Sequence, residues 1–265
     1  MKIKEKLIRL NWFLSEQVGI NLLKLFRFPS SFTKYLISFI SFAKLNKKHK
    51  IKYLFKPCLN DWYENAGDAT SEYFIQDLLV ARLVYKSNPI KHIDIGSRID
   101  GFVAHVASFR EIEIFDIRKL DLNIANGLFK QADLMDTNST ELYKDYTDSV
   151  SCLHAIEHFG LGRYGDPLNL NGIELGITNI SKLLNRNGFF YLSTPIGKSR
   201  IEFNANWVSD PNTIIKIANN NNLLLDKFII IKQNGSHSEI NLDLFYSNQI
   251  ILDNYSLGIF IFKKI

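Results

Sequence analysis

Residues 91–101 have the sequence KHIDIGSRIDG. The apolar run predicts a short strand at 91–95, and Gly96 permits a sharp turn in which the backbone approaches a ligand closely. A helix is expected at about 101–109, and the N–H groups at the start of a helix favour a polar ligand. The segment therefore predicts the first strand–turn–helix unit of a ligand-binding α/β domain.

Strands and helices continue to alternate along the chain. Further strands are expected at 111–116, 129–132, 149–153, 189–194, 223–231 and 258–264. Helices are expected at 73–86, at 138–146, and from 172 to 188. This order predicts an α/β fold with a Rossmann-like, doubly wound, mostly parallel sheet and right-handed crossovers. Ligands of such sheets bind at the carboxyl ends of the strands, near the point where strand order reverses.

The charge is unevenly distributed over the 265 residues. The net charge is +5, but residues 1–56 carry 13 Lys and Arg against Glu5 and Glu16, whereas residues 57–265 carry 19 against 25 acids. With 46% hydrophobic and 22% charged residues, wholesale disorder is excluded. We expect a basic amphipathic helical extension at 1–56, followed by one acidic domain at 57–265.

Apolar residues in the extension recur at helical spacing. One stripe runs from Ile3 to Val18, Pro29 interrupts the pattern, and a second stripe follows Ser31, which is a candidate N-cap. The extension is expected to pack as a helical cap on the main domain or a partner subunit. The alternative is peripheral attachment to an anionic membrane face. Nucleic-acid binding is not expected, because the lysines accompany no recognition motif.

Cysteine content and hydropathy indicate the compartment. Cys58 and Cys152 are too few for a disulfide framework, and no convincing signal peptide or stretch of about 18 apolar residues is present. We expect a cytoplasmic protein, with the extension as its one candidate membrane contact.

The residues after the predicted strands suggest a nucleotide-like ligand. The dinucleotide fingerprint G-x-G-x-x-G is absent, because Arg98 stands two residues after Gly96, which disfavours an NAD-dependent enzyme. Asp116 ends the second strand, where an acid can accept hydrogen bonds from ribose hydroxyls. Asp133 and Leu134 follow the third strand, where they can meet an adenine edge.

This series of motifs, with the hairpin LLNRNGFFYLSTP, resembles class I methyltransferases that use S-adenosylmethionine. The resemblance implies that Asp94 and Gly96 border the methionine moiety, that Asp116 holds the ribose and that Asp133 lies near the adenine. The predicted cofactor site has seven members: Asp94, Gly96, Ser97, Arg98, Asp116, Asp133 and Leu134. The chain departs from the family pattern at Arg98 and Asp100, where glycines are usual.

Residues 154–167 have the sequence HAIEHFGLGRYGDP. This run resembles the signature of a bacterial methyltransferase-like family known only as a domain of unknown function, and the likeness covers roughly 57–200. Members often occur among surface-glycan biosynthesis proteins, which implies a sugar or lipid-linked glycan as the methyl acceptor.

The H-x-x-E-H pattern at 154–158 has two further interpretations. A zinc-protease motif needs one continuous helix, and it is disfavoured because Gly160, Gly162 and Gly165 would end a helix within a turn. The pattern also resembles E-x-x-E-H in ubiquinone-type and small-RNA 2′-O-methyltransferases, which implies a divalent ion such as Mg²⁺ at His154, Glu157 and His158. A further ligand would come from His237 or Asp166.

The expected chemistry needs a base or a metal, because a sugar hydroxyl is barely ionised at neutral pH. Candidate roles are His154 or His158 as base, Glu157 as orienting group, and Arg163 as a clamp for an acceptor phosphate or carboxylate. Asp166 is a candidate catalytic or turn residue. The sequence thus predicts a methyltransferase that transfers a methyl group to an oxygen of a glycan. The rival is a non-catalytic, methyltransferase-like adaptor at a membrane surface.

Overall fold

The computed structural model describes residues 3–64, 66–67, 69–121, 123–247 and 253–265. Two compact units are present, Met1–Gly67 and Asp68–Ile265. No helix in these described ranges is both long and apolar enough to cross a bilayer.

The first unit is helical. It contains α1 (Ile3–Phe13), a π-helical turn (Leu14–Val18), α2 (Leu22–His49) and a 3₁₀ turn (Asp61–Tyr63).

The predicted break at Pro29 is wrong, because Pro29 lies inside α2. Asn21 caps this helix by accepting a hydrogen bond from the Lys24 amide (3.1 Å), while the Ser31 hydroxyl donates to the Arg27 carbonyl (2.9 Å) and is no cap. A proline inside a helix costs about 3 kcal/mol, and α2 continues through Pro29 to pack its aromatic side chains against Tyr53 and Phe55.

The second unit alternates strands and helices, as expected. Its helices are α3 (Glu72–Ser87), α4 (Ala104–Ala107), α5 (Thr137–Glu141), α6 (Gly172–Leu183), α7 (Pro211–Asn220) and α8 (Leu242–Tyr246). A π-helical turn (Ile99–Val103) leads into α4, and a 3₁₀ turn (Ile156–His158) follows the fourth strand. The strands are β1 (His92–Ile95), β2 (Ile112–Asp116), β3 (Gly127–Gln131), β4 (Thr147–Leu153), β5 (Leu184–Ile196), β6 (Arg200–Glu202), β7 (Asn206–Val208), β8 (Leu223–Ile231), β9 (His237–Glu239) and β10 (Ser256–Lys264).

The central sheet has the order β3-β2-β1-β4-β5-β10-β8-β9. Strands β1 to β5 pair in parallel, whereas β10 is antiparallel to both β5 and β8, and β9 is antiparallel to β8. The strand order reverses between β1 and β4, so the switch point lies at their carboxyl ends. The predicted fold class, an α/β Rossmann-like sheet that is largely parallel, is confirmed.

Helices cover both faces of this sheet. On one face α3 and α4 bury apolar residues such as Val80 and Val106 against the strands. On the other face α6 and α7 do the same with residues such as Ile177 and Ile214. The sheet is therefore a rigid platform for the loops that follow its strands.

Two predicted helices are shorter than expected. The helix expected from 172 to 188 ends at Leu183, because Leu184 is fully buried and pairs with Thr147 at the start of β4. The helix expected at 138–146 ends at Glu141, because the Asp145 and Tyr146 amides donate to carbonyls of α6. Tertiary hydrogen bonds override the local pattern in both places.

Candidate active site

One pocket lies where the turns after β1, β2 and β4 meet. It encloses about 890 Å³, part of it open to solvent. Nine of the twelve predicted site residues line it: Gly96, Arg98, Asp116, Asp133, Leu134, His154, His158, Arg163 and Asp166. The other three, Asp94, Ser97 and Glu157, are buried and do not line the pocket.

Gly96 forms the turn at the end of β1. Its φ is +67°, and a Cβ at this position would lie 3.0 Å from the Cβ of Ala155. The Gly96 amide also donates to the Phe115 carbonyl on β2 (2.9 Å). A glycine is required here because the backbone takes the left-handed region and passes close to the loop after β4.

Asp94 and Ser97 stabilise this turn from beneath. The Asp94 carboxylate is fully buried and accepts hydrogen bonds from the Ser97 hydroxyl (2.5 Å), the Ser97 amide (3.0 Å) and the Ser151 hydroxyl (2.6 Å). Burial raises the pKa of Asp94 to about 7, although these hydrogen bonds act in the opposite direction. Neither side chain lines the pocket, so the contact of Asp94 and Ser97 with a cofactor stays a prediction.

Asp116 stands at the end of β2, as predicted, and pairs with Arg118. The guanidinium of Arg118 donates through Nε to Oδ1 of Asp116 (3.0 Å) and through Nη2 to Oδ2 (2.7 Å), and the Arg118 amide also donates to Oδ1 (2.8 Å). The carboxylate expected to hold a ribose is thus held by a neighbouring side chain. Sequence reasoning missed Arg118, although a basic residue two positions after the acid was a visible signal.

Asp133 and Leu134 border the pocket on the β3 side. Oδ1 of Asp133 accepts a hydrogen bond from the Met135 amide (2.8 Å), and Leu134 is buried with its carbonyl held by Asn179 (3.0 Å). Together they form a rigid, partly apolar wall.

Arg98 lies at the rim. Its side chain is 55% exposed, bonds to Asp100 through Nε (3.1 Å) and Nη2 (2.8 Å), and places its guanidinium 5.3 Å from the ring centre of Tyr73.

His158 presents one ring nitrogen to the pocket in a defined chemical state. Nδ1 lies 2.7 Å from the carbonyl oxygen of Ala205. A carbonyl only accepts hydrogen bonds, so Nδ1 carries the proton and Nε2 of the neutral ring carries the lone pair. Burial lowers the pKa of His158, and the nearby Arg163 cation lowers it further, against the attraction of Glu157.

The pKa of His154 is raised, whereas that of His158 is lowered. Its Nδ1 lies 2.6 Å from Oε1 of Glu157, its Nε2 lies 3.5 Å from Oε1 of Glu72, and its ring stacks on Tyr73 with centroids 4.4 Å apart. Burial disfavours the charged ring, but Glu157 and Glu72 prevail and raise the pKa of His154 to about 9. His154 is therefore an imidazolium at neutral pH, held in the left-handed region with φ +52°.

Glu157 lies beneath the pocket. Its side chain is 1% exposed, and its Oε2 has no hydrogen-bond partner among the described residues, while Oε1 is 3.9 Å from Nε2 of His158. Glu157 therefore contacts both histidines and is placed to orient them.

The described residues show no site for the divalent ion expected at His154, Glu157 and His158. Among the described residues, no three His, Cys, Asp or Glu side chains are grouped to hold a metal ion. His154 and Glu157 are hydrogen-bonded directly to each other, and Nδ1 of His158 is used by Ala205, so the three side chains do not share a coordination centre. His237 lies on β9, at the far edge of the sheet.

The loop after His158 is held by Asp166. Its Oδ2 accepts from the amides of Gly160 (2.9 Å) and Gly162 (3.2 Å), and its Oδ1 accepts from the Tyr164 amide (3.2 Å). Of its two predicted roles, Asp166 thus performs that of a turn residue.

Arg163 and Tyr164 line the pocket beside His158. Arg163 donates through Nη1 to the Ala205 carbonyl (2.9 Å), and its guanidinium lies 5.3 Å from the Tyr164 ring centre. Arg118 lies 4.5 Å from the same ring. Ala205 was not predicted, because only the folded chain brings its carbonyl to His158 and Arg163.

Comparison with solved structures identifies the class of fold. The chain is 10% identical to the 1,6-didemethyltoxoflavin-N1-methyltransferase of Burkholderia thailandensis, solved with S-adenosylhomocysteine, over 89% of this chain and 90% of that one, with a TM-score of 0.51. It is 8% identical to the [4+2]-cyclase SpnF over 75% and 85%, also with a TM-score of 0.51. The fold is that of class I S-adenosylmethionine-dependent methyltransferases. These two proteins are named for different reactions, so the likeness establishes the fold alone.

The family is given by the sequence. Residues 104–246 match the family model described as "Caenorhabditis protein of unknown function, DUF268", and the chain belongs to this family. No curated protein matches the sequence. The match includes the loop from His154 to Asp166 and leaves the first unit outside.

Proposed function

We propose that the protein is an S-adenosylmethionine-dependent O-methyltransferase whose acceptor is a hydroxyl of a sugar or lipid-linked glycan. One observation carries the proposal. The same pocket is lined by the turns at the carboxyl ends of the parallel strands, where a nucleotide-like ligand binds, and by His158, whose Nε2 carries a lone pair. The glycan as acceptor rests on the family resemblance of the loop at 154–167.

The residues on the cofactor side fit an S-adenosyl ligand. Gly96 lets the backbone approach the ligand, Leu134 offers an apolar wall for an adenine, and Asp116 offers carboxylate oxygens once Arg118 releases them. When bound, S-adenosylmethionine supplies a methyl carbon that already carries a sulfonium leaving group.

His158 supplies the base. In the neutral ring Nε2 accepts the proton of an acceptor hydroxyl, while Nδ1–H keeps the ring in place through the Ala205 carbonyl. The lowered pKa keeps the ring neutral and ready at physiological pH. After proton transfer, Glu157 lies 3.9 Å from Nε2 and stabilises the imidazolium.

His154 takes a positioning role. Because its pKa is about 9, it is protonated at neutral pH and is a poor proton acceptor. Its ion pair with Glu157 fixes the carboxylate that faces His158, and its stacking fixes Tyr73 at the pocket wall.

A second candidate is the non-catalytic adaptor. The observation in its favour is the bidentate pair of Arg118 with Asp116, which occupies the carboxylate that a ribose would need. An adaptor of this kind would fold like a methyltransferase without binding the cofactor.

The test is thermal unfolding and calorimetry of the full chain with S-adenosylhomocysteine, S-adenosylmethionine and NAD. A ligand at about 100 times its Kd adds roughly 2.7 kcal/mol to the free energy of unfolding. Stabilisation by the S-adenosyl compounds alone, with methyl transfer to glycan hydroxyls that His158→Asn removes, supports the enzyme. A folded protein that binds none of these compounds supports the adaptor.

A further inference from the structure

Helix α2 of the first unit has apolar side chains on two of its sides. On the inner side of α2, Tyr35 and Phe39 pack against Phe55, with ring centroids 5.0 and 5.4 Å apart, and Phe42 packs against Tyr53 at 5.2 Å. These edge-to-face contacts account for one side of the helix.

The other side of α2 is apolar and exposed. Leu23, Phe26, Ile37 and Ile40 follow one another at separations of 3, 11 and 3 residues, which places them on one face of a helix. Their exposed fractions are 57%, 83%, 61% and 54%. We call these four residues the Phe26 stripe. Exposed apolar surface of this extent marks an interaction site.

Lysines continue the same face toward the end of the helix. Lys44, Lys47 and Lys48 stand four, seven and eight residues after Ile40, and all three are exposed. No described basic side chain between residues 3 and 56 forms an ion pair with a carboxylate. The cations are thus available to a partner.

We propose that the Phe26 stripe and the lysines after it dock the protein onto the surface of an anionic lipid bilayer. An interfacial helix needs an apolar face for the acyl region and cations for lipid phosphates, and α2 carries both on one side. At 28 residues α2 is about 42 Å long, and no described helix is apolar enough to span a bilayer. It therefore lies along the surface.

Charge argues against a second copy as the occupant. Residues 1–56 carry 13 Lys and Arg and two acids, so two such segments repel each other. An anionic bilayer complements the same charge. The proposal is independent of methyl transfer, because the stripe lies outside the pocket described above.

The first experiment is flotation of the full chain with vesicles. Binding is expected to vesicles containing about 30% phosphatidylglycerol at low salt and to weaken with added salt, whereas pure phosphatidylcholine vesicles bind poorly. A folded chain that ignores the anionic vesicles overturns the proposal.

The second experiment removes the apolar contact. The variant Phe26→Gln/Ile37→Gln/Ile40→Gln keeps good helix formers and is expected to abolish flotation. The matched control is Ile90→Gln/Leu128→Gln/Leu142→Gln, which changes side chains of similar exposure (94%, 57% and 82%) in the second unit. Equal binding by the two variants overturns the proposal.

The third experiment removes charge and does not depend on the stripe. Lys44→Gln/Lys47→Gln/Lys48→Gln is expected to weaken partitioning about 100-fold. Its control, Lys86→Gln/Lys216→Gln/Lys232→Gln, removes the same charge from exposed lysines of the second unit and should keep most of the binding. A matching loss in the control contradicts a localised docking surface.

Light scattering identifies the competing occupant. If the chain is a dimer in solution, ignores vesicles, and becomes a monomer with the Phe26 stripe variant, the stripe joins two copies and the lipid proposal fails.

Discussion

Nε and Nη2 of Arg118 lie 3.0 and 2.7 Å from the two carboxylate oxygens of Asp116, at the edge where β2 ends. The Asp116 side chain is only 13% exposed, whereas that of Arg118 is 49% exposed. An arginine at the rim therefore holds the acid that a ribose would use, and a bound ribose has to displace it.

Substitutions of Arg118 and Asp116 are expected to change the affinity for S-adenosylhomocysteine in opposite directions. Arg118→Gln frees the carboxylate and is expected to tighten S-adenosylhomocysteine binding about five-fold, the strength of an exposed ion pair. Asp116→Asn is expected to weaken binding about 10- to 100-fold, because a charged acceptor is lost. Calorimetry measures both.

A matched control is Arg200→Gln. Arg200 pairs with Glu202 at the same sequence spacing and through the same guanidinium nitrogens, with Nε and Nη2 lying 2.8 and 2.7 Å from Oε1, but outside the pocket. The affinity of the Arg200→Gln variant for S-adenosylhomocysteine should equal that of the unaltered chain. A loss of affinity in Arg118→Gln would mean that Arg118 binds the ligand.

His158→Asn tests the base. Asparagine retains an N–H for the Ala205 carbonyl but has no basic nitrogen, so turnover is expected to fall about 10²- to 10⁴-fold with cofactor affinity unchanged. His105→Asn is the control, since Nδ1 of His105 also lies 2.7 Å from a carbonyl, that of Gly101. Full turnover by His158→Asn would exclude the assigned role.

The pH profile of turnover provides an independent check. The pKa of His158 is lowered by burial, with Arg163 acting in the same direction. We expect kcat/KM to stay level down to pH 6.5 and to decline only at lower pH, where Nε2 becomes protonated. An acidic limb centred above 6.5 would point to another base.

His154 makes stability depend on pH. Its folded pKa of about 9 lies above the unfolded value of 6.5, so its contribution is complete below pH 6.5 and is lost as the pH rises through 9. We expect the free energy of unfolding to fall by on the order of 2–3 kcal/mol between pH 6.5 and pH 9 because His154 loses its proton.

Denaturation at pH 6, 7.5 and 9 measures this loss. His154→Asn, which tolerates the left-handed φ, should flatten the dependence, whereas the exposed His237→Gln should leave it unchanged. Parallel curves for His154→Asn and the unaltered chain would remove His154 as the cause.

Gly96→Ala separates backbone strain from a steric contact. Alanine at φ +67° costs about 1–2 kcal/mol, and its Cβ also meets Ala155 at 3.0 Å. Gly19→Ala carries similar strain at φ +79° with no atom within 4 Å. We expect Tm to fall further for Gly96→Ala than for Gly19→Ala. We expect S-adenosylhomocysteine binding to be lost in Gly96→Ala and kept in Gly19→Ala.

Much of the fold could be predicted because it is encoded in local periodicity. The strands at His92–Ile95 and Leu223–Ile231 lie almost where the apolar runs place them. The start of α7 at Pro211 was not predicted, although its capping aspartate and first-turn proline are a recognised start signal. The end of α6 at Leu183 was misplaced, because pairing with β4 sets it.

The site was predicted in composition but not in geometry. Strand ends identify Gly96, Asp116 and His158, since a parallel sheet brings its carboxyl ends together. Which residues reach the pocket is decided by contacts distant in sequence, such as Ser151 with Asp94 and Ala205 with His158.

The sequence by itself determined the sheet, the turn glycine and the basic, apolar first unit, because these follow from hydropathy, backbone freedom and charge along the chain. Only the tertiary structure decided the chemical states of the two histidines. His154 is charged because Glu157 and Glu72 surround it, whereas His158 is neutral because burial and Arg163 oppose a second proton. Two identical side chains four residues apart thus differ in charge, one positive and one neutral, because of their surroundings.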